Sequence, residues 1–197
     1  MDKRRRKLIL VGVALLSLGI IGYIDWHSRL LLSVSESSGS LDSLFGSSGS
    51  LDSVFGSSQS IDTVKHATSV KAFRLRSPNR HHQLLSDYQT TAGPIGVSAA
   101  VASDLRGALL DTSSYLWNIG KLCEPDYGVR IQFQHNTDKV DVLLCFQCDV
   151  LGVYHNGKAV ARKDFDPARP QLVLIVKELF PDDEAIQSLV SRRATQT

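Results

Sequence analysis

The stretch Val129–Arg162 reads VRIQFQHNTDKVDVLLCFQCDVLGVYHNGKAVAR, and apolar and polar residues alternate along much of it with the period of a half-buried strand. Three breaks interrupt the alternation: the polar turn His135–Asp138, the pair Cys148-Asp149, and Asn156-Gly157. Asn-Gly favours a tight hairpin turn because both turn positions adopt positive φ. The stretch therefore predicts a four-stranded antiparallel meander. Each of its first two strands should bury one face. That face carries Val129, Ile131 and Phe133 in the first strand, and Val140, Val142, Leu144 and Phe146 in the second.

Helix signals stand on both sides of this meander. Before it, Ser98 can cap a helix whose apolar residues recur at spacings of three and four. After it, Asp166 and Pro167 suit the start of a second helix, and Pro181 stops that helix. Asp182 can then cap a short last helix.

Two further strands are expected ahead of the first helix. Val70–Leu75 alternates apolar with basic residues, and Leu84–Thr91 is a weaker strand closed by Gly93-Pro94. Together these elements predict an α+β domain over residues 66–190, with the antiparallel meander packed on one or two helices. Residues 191–197 are expected to form a disordered tail.

Charge and composition exclude several classes of protein. Residues 1–7 hold five of the 22 basic residues and one of the 20 acidic ones, so the remaining chain carries a net charge of −2. That body lacks the basic surface of a nucleic-acid-binding protein. The composition also excludes collagen, coiled-coil and disulfide-rich miniprotein classes. Because 43% of the residues are apolar, part of the chain should fold around a core.

The N-terminal segment predicts a single-pass membrane anchor over residues 8–26. Leu8–Ile24 carries no charge, the basic run KRRRK precedes it, and only Arg29 follows closely. This asymmetry predicts residues 1–7 as a cytoplasmic tail and residues 27–197 outside the cytoplasm. The residues expected to contact membrane lipid include Leu8, Val11, Leu15, Leu18, Ile21, Tyr23 and Trp26.

A cleaved signal peptide is the alternative to an uncleaved signal anchor. Its basic start and apolar core would look the same, but no A-x-A cleavage triplet follows the core, although Ser17 and Gly19 offer small residues. No cysteine lies near the segment, which excludes a lipoprotein anchor.

A low-complexity linker is predicted over residues 27–65. A ten-residue unit recurs in it, as SSGSLDSLFG from Ser37, SSGSLDSVFG from Ser47 and the diverged SSQSIDTVKH from Ser57. One interpretation is a flexible tether lengthened by duplication. The other is a series of short amphipathic turns that bind a partner or pack back on the domain. The apolar residues of these possible docking turns are Leu41, Leu44, Phe45, Leu51, Val54 and Phe55.

The three cysteines, Cys123, Cys145 and Cys148, are candidates for chemistry, and three interpretations stay open. An oxidising compartment favours one structural disulfide with one buried thiol. Cys145 and Cys148 would lie about 10 Å apart on an extended strand, so they pair only if Phe146-Gln147 turns; otherwise Cys123 pairs with one of them. A redox-active C-x-x-C is the second interpretation, and a metal site completed by His155 or His135 is the third.

No pattern in the chain indicates an enzyme of a familiar class. The sequence contains no G-x-S-x-G, H-E-x-x-H, phosphate-binding loop or dinucleotide fingerprint. It therefore predicts a non-catalytic, membrane-anchored extracytoplasmic interaction module without a cofactor, which binds a protein or a cell-envelope component and no nucleic acid. The alternative is an envelope thiol-redox or metal-binding protein that uses the three cysteines.

Overall fold

A computed structural model of the protein describes residues 49–76, 84–118 and 120–191. The predicted cytoplasmic tail, membrane anchor and first repeat lie outside these ranges, as does the tail beyond residue 191. Within the three ranges, no helix combines the length and the apolar character that crossing a membrane requires.

The described residues form an α+β domain around a six-stranded antiparallel sheet. The strand order is β2-β1-β3-β4-β5-β6, so the last four strands follow one another as the predicted meander. The strands are β1 (Ser69–Arg76), β2 (Gln89–Gly96), β3 (Val129–His135), β4 (Asp138–Cys145), β5 (Val150–His155) and β6 (Lys158–Asp164).

Helices cover one face of this sheet. Their buried residues share the main apolar core with the residues Val129, Ile131 and Phe133 that the alternation had predicted to point inward. The helices are α1 (Asp52–Phe55), α2 (Ser58–Lys65), α3 (Ala99–Leu110), α4 (Arg169–Leu179) and α5 (Glu184–Gln187).

The helix ends follow mostly from local side chains. Ser98 caps α3, because its hydroxyl oxygen accepts the N–H of Val101 at 3.3 Å. A short 3₁₀ turn, Asp166–Ala168, leads into α4. The cap of α5 is Asp183 rather than the predicted Asp182, since the Asp183 carboxylate accepts the N–H of Ile186 at 2.9 Å.

The opposite face of the sheet carries a second, smaller apolar cluster. Tyr88 and Tyr127 belong to this cluster and lie in loop segments outside the strands and α-helices. Leu143 and Cys145 come from β4. The sheet is therefore covered by helices on one face and, where this cluster lies, by further residues on the other face. The members of the cluster are Phe73, Leu75, Tyr88, Tyr127, Leu143, Cys145 and Tyr154.

The folded domain begins before residue 66. The second and third repeats form α1 and α2, and the side chains of Val54 and Phe55 are fully buried in the main core. The serine-rich composition suggests a tether, but a serine can also cap a helix. The hydroxyl oxygen of Ser57 accepts the N–H of Ser60 at the start of α2. Leu51 is half-buried against the same core. The equivalent residues of the first repeat, Leu41, Leu44 and Phe45, lie outside the described residues.

Strand β2 also differs from the prediction. It runs over Gln89–Gly96 and includes Gly93-Pro94, whereas the sequence predicts a strand over Leu84–Thr91 that ends before this pair. Proline lacks the N–H that a central strand needs, so Pro94 predicts the end of a strand. Because β2 is an edge strand that pairs only with β1, Pro94 fits within it.

Candidate functional site

The structure brings the three cysteines together at one end of the sheet. Cys123 lies in the segment before β3, Cys145 is the last residue of β4, and Cys148 lies between β4 and β5. Cys123 and Cys148 form a disulfide, with their Cα atoms 6.4 Å apart. Cys145 is a free, fully buried cysteine whose Sγ lies 3.6 Å from the Sγ of Cys148. Two sulfurs are therefore bonded and a third is in contact with one of them.

A tight turn over residues 146–149, named here the cysteine turn, creates this cluster. Cys145 pairs with Val150 across it as the last pair of β4 and β5, and Asp149 adopts a φ of 56°. On a continuing strand, residues three apart would point to opposite faces. The turn removes that alternation, so Cys145 and Cys148 meet.

Three neighbouring elements hold the cysteine turn. The guanidinium of Arg169, at the start of α4, donates to the carbonyl oxygen of Phe146 at 2.7 Å. The ammonium of Lys121 donates to the carbonyl oxygen of Cys148 at 2.7 Å. The N–H of Phe165, just after β6, donates to the carbonyl oxygen of Asp149 at 2.8 Å. The turn is therefore fixed by groups from three separate parts of the chain.

A cleft of about 420 Å³, the disulfide cleft, opens beside the bonded cysteines. Burial raises the pKa of Tyr88 to about 12. The ring of Tyr88 packs 5.7 Å from that of Tyr127, whose pKa burial also raises. The cleft is lined by Tyr88, Cys123, Glu124, Pro125, Asp126, Gln147 and Cys148.

Leu122 stands in solvent immediately beside this cluster. Its side chain is fully exposed, at 109% of the reference area. Both of its chain neighbours are fixed: Cys123 by the disulfide, and Lys121 by its hydrogen bond to Cys148 and an ion pair with Asp166. An apolar side chain is thus held outward by two anchored residues.

Cys123 also lines a second depression of about 440 Å³, the basic cleft. Lys163 projects over the ring of Trp117, with its Nζ 4.7 Å from the ring centroid, and Arg162 is exposed. Among the described residues, no hydrogen-bond donor reaches Oδ2 of buried Asp164, and desolvation raises the pKa of that carboxyl group. The lining residues are Trp117, Asn118, Gly120, Lys121, Cys123, Val150, Arg162, Lys163 and Asp164.

Sequence reasoning did not select Lys121, Leu122 or Arg169. Leu122 follows several apolar residues and precedes a cysteine, so nothing local distinguishes it from residues that are buried. The contacts of Lys121 and Arg169 join residues 20 or more positions apart, so no local pattern indicates them.

The histidines proposed as metal ligands lie away from the cysteines. His155 pairs with Val140, five residues along β4 from Cys145, which is roughly 16 Å on a strand. Its Nε2 lies 3.7 Å from a carboxylate oxygen of Asp138. Within residues 49–76, 84–118 and 120–191, no group of three or more His, Cys, Asp or Glu side chains is arranged to hold a metal ion. No family model, no curated protein and no solved structure matches the chain.

Proposed function

We propose that the described domain is a non-catalytic interaction module, held on the extracytoplasmic side of a membrane by residues 8–26, that binds a partner protein around Leu122. The observation that carries this proposal is the full exposure of Leu122 between two anchored neighbours. We refer to Leu122 together with Trp117, Arg162 and Lys163 as the Leu122 surface.

Burial of Leu122 supplies a driving force for association. Moving a leucine side chain from water into an apolar pocket contributes about 1.5–3 kcal/mol. Binding normally loses part of such a gain to the ordering of loops. Here Cys123 and Lys121 already restrict the segment, which lowers that loss.

Charge indicates the chemistry of the partner. Arg162 is exposed and Lys163 is half-buried, and both line the basic cleft together with the two neighbours of Leu122. The complementary surface is an apolar pocket bordered by carboxylates. The partner in this proposal is therefore a protein with an acidic rim around a pocket for one aliphatic side chain.

Site-specific photocrosslinking in cells tests this surface. The full chain is produced with a photoreactive phenylalanine derivative in place of Leu122, and a matched variant carries it in place of Leu174. Leu174 is 67% exposed on α4, so it controls for an apolar position on another element. We expect one discrete crosslinked species at position 122 that is absent at position 174.

A second measurement tests whether binding requires the positive charge of Arg162. Arg162→Glu combined with the photoreactive group at position 122 should lower the crosslink yield several-fold, because it places a negative charge against the acidic rim. Equal yields at positions 122 and 174, or a yield that Arg162→Glu leaves unchanged, would contradict the proposed surface.

The membrane orientation is tested separately. Protease added to spheroplasts should digest the domain of the full chain while the membrane is intact. A domain that is degraded only after the membrane is broken would place it on the cytoplasmic side and would overturn that part of the proposal.

A further inference from the structure

The geometry points to a thiol–disulfide exchange site, in which the bond moves from Cys123–Cys148 to Cys145–Cys148 and leaves a reactive thiol at Cys123. The free thiol is then on the disulfide cleft, where it takes disulfide compounds as its substrate class. The exchange is a stoichiometric reaction of the domain's own cysteines, so it goes beyond the binding proposal. It does not rest on that proposal, which is argued for the form with the Cys123–Cys148 bond.

The first step needs only atoms already in contact. The thiolate of Cys145 attacks the Sγ of Cys148 from 3.6 Å. A Cys145–Cys148 bond forms as the Cys148–Cys123 bond breaks, and Cys123 leaves as the thiolate. The proton lost by Cys145 is replaced at Cys123 by one from solvent. The protein keeps one disulfide and one thiol, so the exchange requires no external oxidant or reductant.

The backbone is already shaped for the product. A bridge between residues three apart needs a turn between them, because an extended strand separates them by about 10 Å. The cysteine turn supplies it, and contacts from Arg169, Lys121 and Phe165 hold that turn without using any of the three sulfurs. These contacts can persist through the exchange.

The exchange changes which thiol meets solvent. Cys145 is 0% exposed, so a thiol at that position is shielded from dissolved reagents. Cys123 is half-buried and lines the disulfide cleft beside Tyr88 and Gln147. A thiolate at Cys123 attacks one sulfur of a soluble disulfide, forms a mixed disulfide and releases the other half as a thiol.

Alkylation of the folded protein locates the free thiol. The full chain, purified in detergent without reductant, is incubated with N-ethylmaleimide and digested with chymotrypsin. Cleavage after Phe146 separates Cys145 from Cys148, so mass spectrometry of the unreduced digest distinguishes the two bridges. We expect the label on Cys123 and a bridge between the peptides of Cys145 and Cys148. A label that reaches only Cys145, and only after unfolding, would overturn the exchange.

Three variants provide matched controls. Cys145→Ala removes the attacking thiol, so the Cys123–Cys148 bridge should persist and the folded protein should stay unlabelled. Cys145→Ser repeats this test with a side chain close in size to cysteine. Cys123→Ser leaves only the product pair, which should be oxidised after purification in air, two hydrogens lighter than the reduced form. Two free thiols in the folded Cys123→Ser protein would contradict the proposed product.

The substrate class is tested with oxidised glutathione as the probe. The full chain should gain one glutathione on Cys123, and Cys145→Ala should gain none because its Cys123 stays bonded. If the disulfide exchanges but no glutathione is added at Cys123, the proposal that Cys123 reacts with soluble disulfide compounds is wrong.

Discussion

The guanidinium of Arg169 lies against the cysteine turn and donates to the carbonyl oxygen of Phe146 at 2.7 Å. The same group forms an ion pair with the carboxylate of Asp149, and its Nε donates to the carbonyl oxygen of Val190 at 3.0 Å. One side chain, only 5% exposed, therefore joins the start of α4, the turn that carries Cys148 and the end of the described chain.

Arg169→Met should destabilise the protein strongly. The change leaves the carboxylate of Asp149 without its charge partner in a half-buried site and leaves the carbonyl oxygen of Phe146 without this donor. Removal of one partner of a buried ion pair lowers the free energy of unfolding by about 3–5 kcal/mol. Urea unfolding of the full chain in detergent, followed by circular dichroism, measures the loss. Lys177→Met on the same helix is the control, expected within about 0.5 kcal/mol of wild type; equal losses in both variants would refute this role of Arg169.

A glycine pair tests whether the second repeat is part of the domain. Gly56 ends α1 at a φ of 76°, and a Cβ at that position would lie 2.2 Å from Cγ1 of Val160 on β6. Gly157 has a φ of 80°, with open space around its position. Both changes to alanine strain the backbone, but only Gly56→Ala also forces α1 away from the sheet.

We expect Gly56→Ala to be less stable than Gly157→Ala by about 1–3 kcal/mol, the usual effect of overpacking. The midpoint of urea unfolding for the two variants of the full chain provides the comparison. If the two changes have the same effect, α1 does not pack on Val160 and residues 49–56 belong to the linker.

Local patterns were sufficient to predict much of the fold. Alternation identified the inward face of β3, and Ser98 marked the start of α3 correctly. The α+β class follows from these signals, because the meander and the helices α3, α4 and α5 were predicted from their own residues. The burial of the second repeat was harder to predict, because α1, which carries Val54 and Phe55, packs against β6, a distant part of the chain. Serine-rich composition alone favours a tether.

The candidate site was less predictable than the fold, because its contacts join distant residues. The sequence indicates that Cys145 and Cys148 can meet only if Phe146-Gln147 turns. It does not indicate that the segment before β3 brings Cys123 beside that turn. His155 was proposed as a ligand from its residue type, yet its pairing with Val140 sets it far along the strand. Leu122 becomes a candidate binding residue only because its neighbours Lys121 and Cys123 are fixed by an ion pair and a disulfide.

Asp164→Asn should change the dependence of stability on pH. Desolvation raises the pKa of Asp164 above its ordinary value of 3.8, so the folded domain holds this proton more tightly than the unfolded chain does. The stability that the carboxyl group contributes is present at low pH and is lost as pH rises from 3.8 through the higher folded pKa. The variant should therefore gain stability relative to wild type as pH rises above 3.8 through the folded pKa of Asp164. Thermal unfolding across this range measures the difference, and a constant difference would contradict the raised pKa.

Asp138→Asn provides a control of opposite sign. Hydrogen bonds from Asn156 and Gln59 lower the pKa of Asp138 below its ordinary value of 3.8. Its contribution to stability is present above 3.8 and is lost as pH falls through the lower folded pKa. Asp138→Asn should accordingly lose stability relative to wild type at neutral pH, and the loss should shrink in acid.

Oxidation should stabilise two cysteine variants to different extents, because the bridges that they retain close loops of different length. Cys145→Ala keeps the bridge between Cys123 and Cys148, which are separated by 25 positions. Loop-closure entropy predicts that this bridge stabilises the fold by about 3.5 kcal/mol. A bridge between Cys145 and Cys148 in Cys123→Ser closes a very short loop and should stabilise it by about 2 kcal/mol.

The measurement is urea unfolding of each full-length variant with and without dithiothreitol. Reductant should lower the unfolding midpoint of both variants, and more in Cys145→Ala. An insensitive Cys145→Ala variant would mean that Cys123 and Cys148 are not bonded in solution, and an insensitive Cys123→Ser variant would mean that the cysteine turn does not support the short bridge.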